Sequence, residues 1–300
     1  MTKGTLLMKK TTRFKELIHA NEILQLPCCH DALSAKVLEQ AEFKAIAAAG
    51  YGLSGSLLGL PDFGVLTGSE MTTQYRNICD AVNLPVFVDI DTGFGDANSV
   101  IRAVKDCAKA GAAGLLLEDQ TYPKRCGHME GKGVVSVEEY LPKLKAALWA
   151  REDPDFVIMA RTDSYAVHGL EDALDRARCY ASAGADIIFV EALRTAEEMR
   201  RVNTLLRELK VPSMANMIEG GKTPLLPAKE LQALGYSVVA YPCGSVFTTV
   251  KALRGWARYL KEHGTTTGFL NHMLTFDEYF EFIGAREMRE REKQFASSQG

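Results

Sequence analysis

Lys124, Arg125, Cys126, Gly127 and His128 follow one another directly. A thiol set between cations and a glycine on a loop is a candidate for a lowered pKa and for reactivity. The same residues also describe a surface loop with an incidental cysteine. A Cys-x-His zinc half-site is the weaker reading, because no matching second pair appears elsewhere in the chain. Just upstream, the apolar run Gly114-Leu115-Leu116-Leu117 ends in the acids Glu118 and Asp119. That run has the length of a strand buried on both faces.

Other polar groups stand in the same relation to apolar runs. Asp89 and Asp91 end PVFVDID, and Arg161 and Asp163 follow FVIMA. Glu191 ends DIIFVE, Asn216 and Glu219 follow a later run, and Tyr241 and Pro242 close VVAYP. Asp62 lies in the loop after the second run. Several carboxylates converging on one mouth repel each other strongly, and a divalent cation resolves the conflict. Oxygen-only ligands favour Mg2+, or Mn2+, over zinc. Each acid taken singly also has a structural alternative as a helix cap; the set as a whole reads as a metal site.

Asp89 and Asp91 alternate along one strand, so both can face inward only if the strand opens into a loop there. Arg161 suits a substrate carboxylate, which a guanidinium can hold through two hydrogen bonds; the alternative is a buried ion pair with Glu191 or Glu118. Asn216 and the backbone N–H groups at Gly50 and Gly52 are further donors. Together these residues describe a site for a small, multiply anionic, oxygen-rich molecule.

The elements that must position them alternate regularly. Apolar runs at 23–29, 45–49, 85–91, 114–119, 156–161, 186–192, 212–217 and 238–242 predict eight strands. Helical spacing predicts helices at 14–20, 32–40, 70–81, 98–110, 137–151, 170–183, 196–209, 227–234, 246–263 and 276–295. Gly52, Gly55 and Gly59 predict a loop or a close backbone approach after the second strand. Eight strands alternating with helices predict a single α/β domain, a (β/α)8 TIM-type barrel over 1–300, with a C-terminal helical extension over about 264–300. The rival open sheet lacks a Gly-x-Gly-x-x-Gly after its first strand. In a barrel the strand C-termini carry the site, which is where these polar residues stand.

Bulk properties remove other classes. With 47% apolar and 24% charged residues over 300 positions, the chain is long enough for one large domain. A formal net charge of −3 gives no reason to invoke nucleic acid or a membrane surface. The seven cysteines lack disulfide-framework spacing, which predicts a reducing compartment. Neither a signal-length apolar run at the N-terminus nor a membrane-length one elsewhere is present, so a cytoplasmic protein is expected.

The segments AGYGLSGSLLGLPD (49–62), VFVDIDTGFGD (86–96), LLLEDQTYPKRCGHMEGK (115–132), VIMARTDS (157–164), FVEA (189–192) and ANMIEGGKTP (215–224) resemble the isocitrate lyase and phosphoenolpyruvate mutase superfamily. The Lys-Arg-Cys-Gly-His loop is specific to its lyase branch. The resemblance implies a Mg2+-dependent carbon–carbon lyase that splits a 2-hydroxy dicarboxylate or tricarboxylate by retro-aldol (Claisen-type) cleavage. It implies that Asp89 and Asp91 carry the metal, with Glu118 and Asp62 in its outer shell. It implies that Arg161 and the backbone at Gly50 and Tyr51 hold the pyruvate half, and that Cys126 protonates the carbanion. Lys124, Arg125, Gly127 and His128 would close over the substrate, while Glu191 and Asn216 orient that loop and bind the departing acid. Pro242 fits the lyase pattern rather than that of the oxaloacetate hydrolases.

Within the branch, methylisocitrate-cleaving members carry an arginine soon after the Tyr-Pro of strand eight. This chain continues Cys243-Gly244-Ser245-Val246-Phe247. A third carboxylate then lacks a partner, which points to an apolar substituent, as in 2,3-dimethylmalate, cleaved to pyruvate and propionate. Methylisocitrate, giving pyruvate and succinate, is the alternative. Oxaloacetate hydrolysis, phosphonate chemistry and a non-catalytic dicarboxylate sensor rank behind both. Ala47 stands where such members have a tyrosine, so the base that takes the hydroxyl proton is unassigned. The resemblance further implies a homotetramer exchanging its last helices, whose apolar face would be Phe269, Leu270, Met273, Leu274, Phe280 and Phe282.

Overall fold

The structure is a computed structural model and describes residues 8–296. The eight apolar runs form parallel strands: β1 Leu24–Cys29, β2 Ile46–Ala48, β3 Val86–Asp89, β4 Gly114–Glu118, β5 Val157–Thr162, β6 Ile187–Val190, β7 Met214–Asn216 and β8 Val238–Tyr241. Their order is β6-β5-β4-β3-β2-β1-β8-β7. The ring closes between β6 and β7 through a single bridge, Ile188 to Ser213, where Ile188 N donates to Pro212 O at 3.0 Å. This is the expected (β/α)8 barrel, followed by further C-terminal helices.

Alternation along the strands sorts the core into two layers. Leu26, Cys28, Phe87, Leu116, Met159, Phe189, Met214 and Ala240 fill the barrel interior. Cys29, Val88, Leu115, Leu117, Ile158, Ala160, Ile188 and Val239 face the surrounding helices. The helix Lys10–Ile18 closes the bottom: Phe14 and Ile18 join the interior layer, and the Phe14 ring stacks on Phe87 at 5.3 Å. The top is therefore the open end.

The chain divides into two compact units, 1–246 and 247–300. The first holds the barrel. In the second, the helix predicted at 276–295 is broken into Phe276–Phe282 and Ala285–Ala296, because Gly284 takes a φ of 80°. A capping box at Thr275 starts the first of these. No described helix is long and apolar enough to cross a membrane.

The loop expected around Gly52 and Gly55 is instead a helix, Gly50–Leu58, ended by Gly59 at φ 65°. Glycine's low helix propensity is overridden by packing. A Cβ on Gly52 would sit 3.1 Å from His30 Cβ, and one on Gly50 would sit 3.3 Å from Asp91 Oδ1. The close approach was legible; the helix that makes it was not.

Candidate active site

Continuing each inward-facing parity by two residues reaches the barrel mouth. Phe87 leads to Asp89, Leu116 to Glu118, Met159 to Arg161, Phe189 to Glu191, Met214 to Asn216 and Ala240 to Pro242. Asp119 has the opposite parity. It is buried outside the barrel, where it accepts from Arg176 Nη1 at 3.0 Å, Tyr180 Oη at 2.9 Å and Asp163 N at 3.0 Å. Of the two adjacent acids, Glu118 belongs to the mouth and Asp119 to the framework.

The strand does open after Asp89, as the alternation of Asp89 and Asp91 required. Asp91 lies beyond β3 at φ 49°, and its N–H donates to Asp89 Oδ1 at 2.9 Å. Gly50 N, at the start of a helix, donates to Asp89 Oδ2 at 3.3 Å. Lys124 Nζ sits between two further acids, 2.5 Å from Asp62 Oδ1 and 2.8 Å from Asp91 Oδ1. Burial pushes Asp91 up to about 7, with Asp89 and Asp62 adding to the rise and Lys124 opposing it. Burial alone would lower Lys124, but Asp91, Asp62 and Glu118 together raise it well above the usual range, so it stays an ammonium.

Arg161 is the centre of a second cluster. It donates to Asp163 through Nε at 2.8 Å and Nη2 at 3.1 Å, and lies 3.4 Å from Glu118 and 3.3 Å from Glu191. Both expected ion-pair partners are present, and the shortest contacts go to Asp163, the strand-end acid two residues on, whose pairing with Arg161 the sequence does not reveal. Burial raises Glu118 well above the carboxylate range despite Arg161 and Lys124. Burial would raise Glu191 too, but Arg161 and the His128 hydrogen bond bring it down to about 2. Asn216 Nδ2 donates to Glu191 Oε2 at 3.1 Å. His128 Nδ1 accepts from Lys222 N at 2.7 Å, so the ring proton sits on Nε2, 3.2 Å from Glu191 Oε1.

The Lys-Arg-Cys-Gly-His residues lie on an excursion over 120–134. An antiparallel bridge from Gln120 to Val134 closes its base, with Thr121 N donating to Gly133 O at 2.9 Å. The Gln120 side chain clamps Arg125, donating to its carbonyl at 2.9 Å and accepting from its N–H at 3.0 Å. Gln120 was missed in the sequence because a glutamine's partner depends on the path of the loop.

These groups surround one cavity of about 690 Å³, counted out to its mouth. Its walls include Tyr51, Asp62, Asp89, Lys124, Arg125, Cys126, Gly127, Arg161, Glu191, Asn216 and Pro242, over a floor of Leu26, Phe87, Leu116 and Phe189. Asp91, Glu118 and His128 stand behind this wall rather than in it. Gly52 is also set back, packed on His30.

The expected lowering of the Cys126 pKa is wrong. Burial raises the thiol above its ordinary value, with Glu191 and Asp62 adding to the rise and the His128 N–H and Arg161 opposing it. The adjacent cations do not serve it: Lys124 is spent on Asp62 and Asp91, and the Arg125 guanidinium lies over the Phe63 ring at 5.6 Å. A thiol held protonated suits proton donation rather than nucleophilic attack.

The family model for phosphoenolpyruvate phosphomutase matches residues 14–261. The chain belongs to the phosphoenolpyruvate mutase and isocitrate lyase superfamily. Within that superfamily it is 43% identical over 290 residues to 2,3-dimethylmalate lyase of Eubacterium barkeri, covering 97% of this chain and 99% of that one. It is 40% identical to 2-methylisocitrate lyase of Halalkalibacterium halodurans, covering 95% and 93%. The crystal structure of phosphonopyruvate hydrolase in complex with oxalate and Mg2+ superposes with a TM-score of 0.85 at 29% identity, covering 96% of this chain and all of that one. The chain is a carbon–carbon lyase of the superfamily's lyase branch.

Superfamily membership suggests a divalent metal, and the donor chemistry fits one. Two buried carboxylate oxygens, Asp91 Oδ1 and Glu118 Oε1, accept no hydrogen bond, although Lys124 lies close to the first. Every candidate donor is a hard oxygen. Among the described residues no three acidic, thiol or imidazole groups converge at metal-ligand distance; the Lys124 ammonium stands among the acids instead.

Proposed function

We propose that the chain cleaves a 2-hydroxy dicarboxylate resembling 2,3-dimethylmalate into pyruvate and propionate. The observation that carries this reading is the Cys126 thiol on the wall of the cavity shared by Asp89 and Arg161, where burial raises its pKa. Asp89 and Asp91 would hold Mg2+, with Asp62 and Glu118 beyond them. Bound there, the metal would stabilise negative charge on the keto-acid oxygens.

Arg161 receives the carboxylate of the pyruvate half, beside the start of the helix Gly50–Leu58, whose Gly50 N–H is given to Asp89 Oδ2. A helix N-terminus favours an anion at that place. A base takes the hydroxyl proton, the freed O–H pair forms the C2 carbonyl of pyruvate, and the C2–C3 bond breaks with its electron pair passing to C3. Cys126 gives its proton to C3, which completes propionate. The seated 120–134 segment keeps water from that carbanion. Glu191, fixed by Asn216 and His128, holds the segment in place.

The substituent side of the cavity supports the choice of substrate. Ala47, Pro242 and Cys243 are among its lining residues, and the run from Cys243 to Phe247 brings no arginine to meet a third carboxylate. Exposed Leu270, Leu274 and Phe276 in the C-terminal extension support a homotetramer that exchanges its last helices. Pyruvate release with Mg2+ from 2,3-dimethylmalate and from 2-methylisocitrate tests the substrate. We expect kcat/KM to favour dimethylmalate by at least about tenfold, the cost of one poorly matched group. The reverse preference would assign methylisocitrate.

A further inference from the structure

The 120–134 segment meets Arg161 and Glu191 at Gly127. A Cβ on Gly127 would collide with Arg161 Nη2 and would lie 2.5 Å from Glu191 Cγ. Five residues on, Lys132 turns inward, its side chain only 2% exposed. Its Nζ donates to Gly127 O and lies 3.1 Å from Asp163 Oδ1. Asp163 is the residue that holds Arg161 through two hydrogen bonds. One ammonium therefore joins the backbone of the segment to the partner of the arginine.

The local charges give this link a direction. Two carboxylates, from Asp163 and Glu191, lie within 3.3 Å of the single Arg161 guanidinium, with the Glu118 carboxyl group beside them at 3.4 Å. Lys132 adds a second positive charge, but only while the segment that carries it is seated. An anion arriving at Arg161 deepens the negative excess and strengthens the pull on Lys132. We propose that Lys132 is a positioning residue that couples anion binding at Arg161 to closure of the segment over the cavity. This rests on the reading that Arg161 receives the substrate carboxylate.

Lys132→Met keeps the length and bulk of the side chain and leaves Asp163 its two bonds from Arg161. If that variant does not fold, Lys132→Gln, which retains a donor without the charge, replaces it. The full-length Mg2+-loaded protein is treated with iodoacetamide, and alkylation of Cys126 is followed by peptide mass with and without saturating pyruvate. Pyruvate affinity is measured alongside by calorimetry. We expect pyruvate to slow Cys126 alkylation at least about fivefold in the unaltered protein, the low end of coupling between sites. In the Lys132 variant pyruvate should still bind, within about threefold of the unaltered affinity, while its protection of Cys126 disappears. Lys132→Arg should restore the protection. Undiminished protection in the variant overturns the proposal and leaves the reading of Arg161 standing. Pyruvate that binds the unaltered protein without protecting Cys126 overturns the proposal alone; pyruvate that does not bind overturns both.

Discussion

Arg161 gives Asp163 the Nε–Nη2 edge of its guanidinium, at 2.8 and 3.1 Å. Among the described residues Nη1 makes no hydrogen bond, which leaves it for a ligand oxygen. The pair is buried, so removing one charge leaves the other uncompensated in a low-dielectric site. Asp163→Asn is expected to destabilise the fold by about 3 kcal/mol or more, read from urea unfolding at pH 7. A loss under about 1 kcal/mol would show that Glu118 and Glu191 hold Arg161 without it.

Gly127 has no room for a side chain, because Arg161 and Glu191 occupy the place its Cβ would take. Gly127→Ala should therefore keep the 120–134 segment from seating while the barrel remains intact. The expected result is a fall in kcat of about a hundredfold, the scale of a displacement near 1 Å, with an unfolding midpoint close to that of the unaltered protein. Normal turnover in Gly127→Ala would mean that the seated arrangement is not the one in which cleavage occurs.

Glu191 gives the fold a defined acid sensitivity. Its pKa in the folded chain is about 2, below its value of 4.5 when free, because Arg161 and His128 outweigh its burial. A depressed acid stabilises the fold above its unfolded pKa, and that contribution is lost as pH falls from 4.5 toward 2. The size is about 3 kcal/mol, from 1.36 kcal/mol per pKa unit. Comparing urea unfolding of the unaltered protein and Glu191→Gln between pH 6 and pH 3 checks it: the gap between them should narrow on acidification. A gap that stays constant would contradict the assignment.

Much of this arrangement was readable in the sequence, and the reason is periodicity. Side chains alternate along a strand, so polar residues at the ends of apolar runs fall at one end of a barrel. That was enough to bring Asp89, Glu118, Arg161, Glu191 and Asn216 together. It did not separate Glu118 from Asp119, because parity needs to be anchored by knowing which neighbours face inward. The helix Gly50–Leu58 was hidden because its glycines serve close packing against His30 and Asp91, which only the tertiary fold reveals. The roles of Gln120 and Lys132 are hidden for a related reason: each acts through a partner brought near by the loop. The pKa of Cys126 does not follow from its sequence neighbours, because Lys124 and Arg125 are engaged elsewhere.

The proton donated by Cys126 is the step on which the account turns. Its direct test is the rate of pyruvate release from 2,3-dimethylmalate by Cys126→Ala, with pyruvate and Mg2+ binding measured on the same preparation. Binding should stay within about threefold of the unaltered protein, and turnover should fall by at least about a hundredfold, the usual contribution of a placed general acid. Turnover within about threefold, with binding intact, would contradict it and remove the thiol from the mechanism.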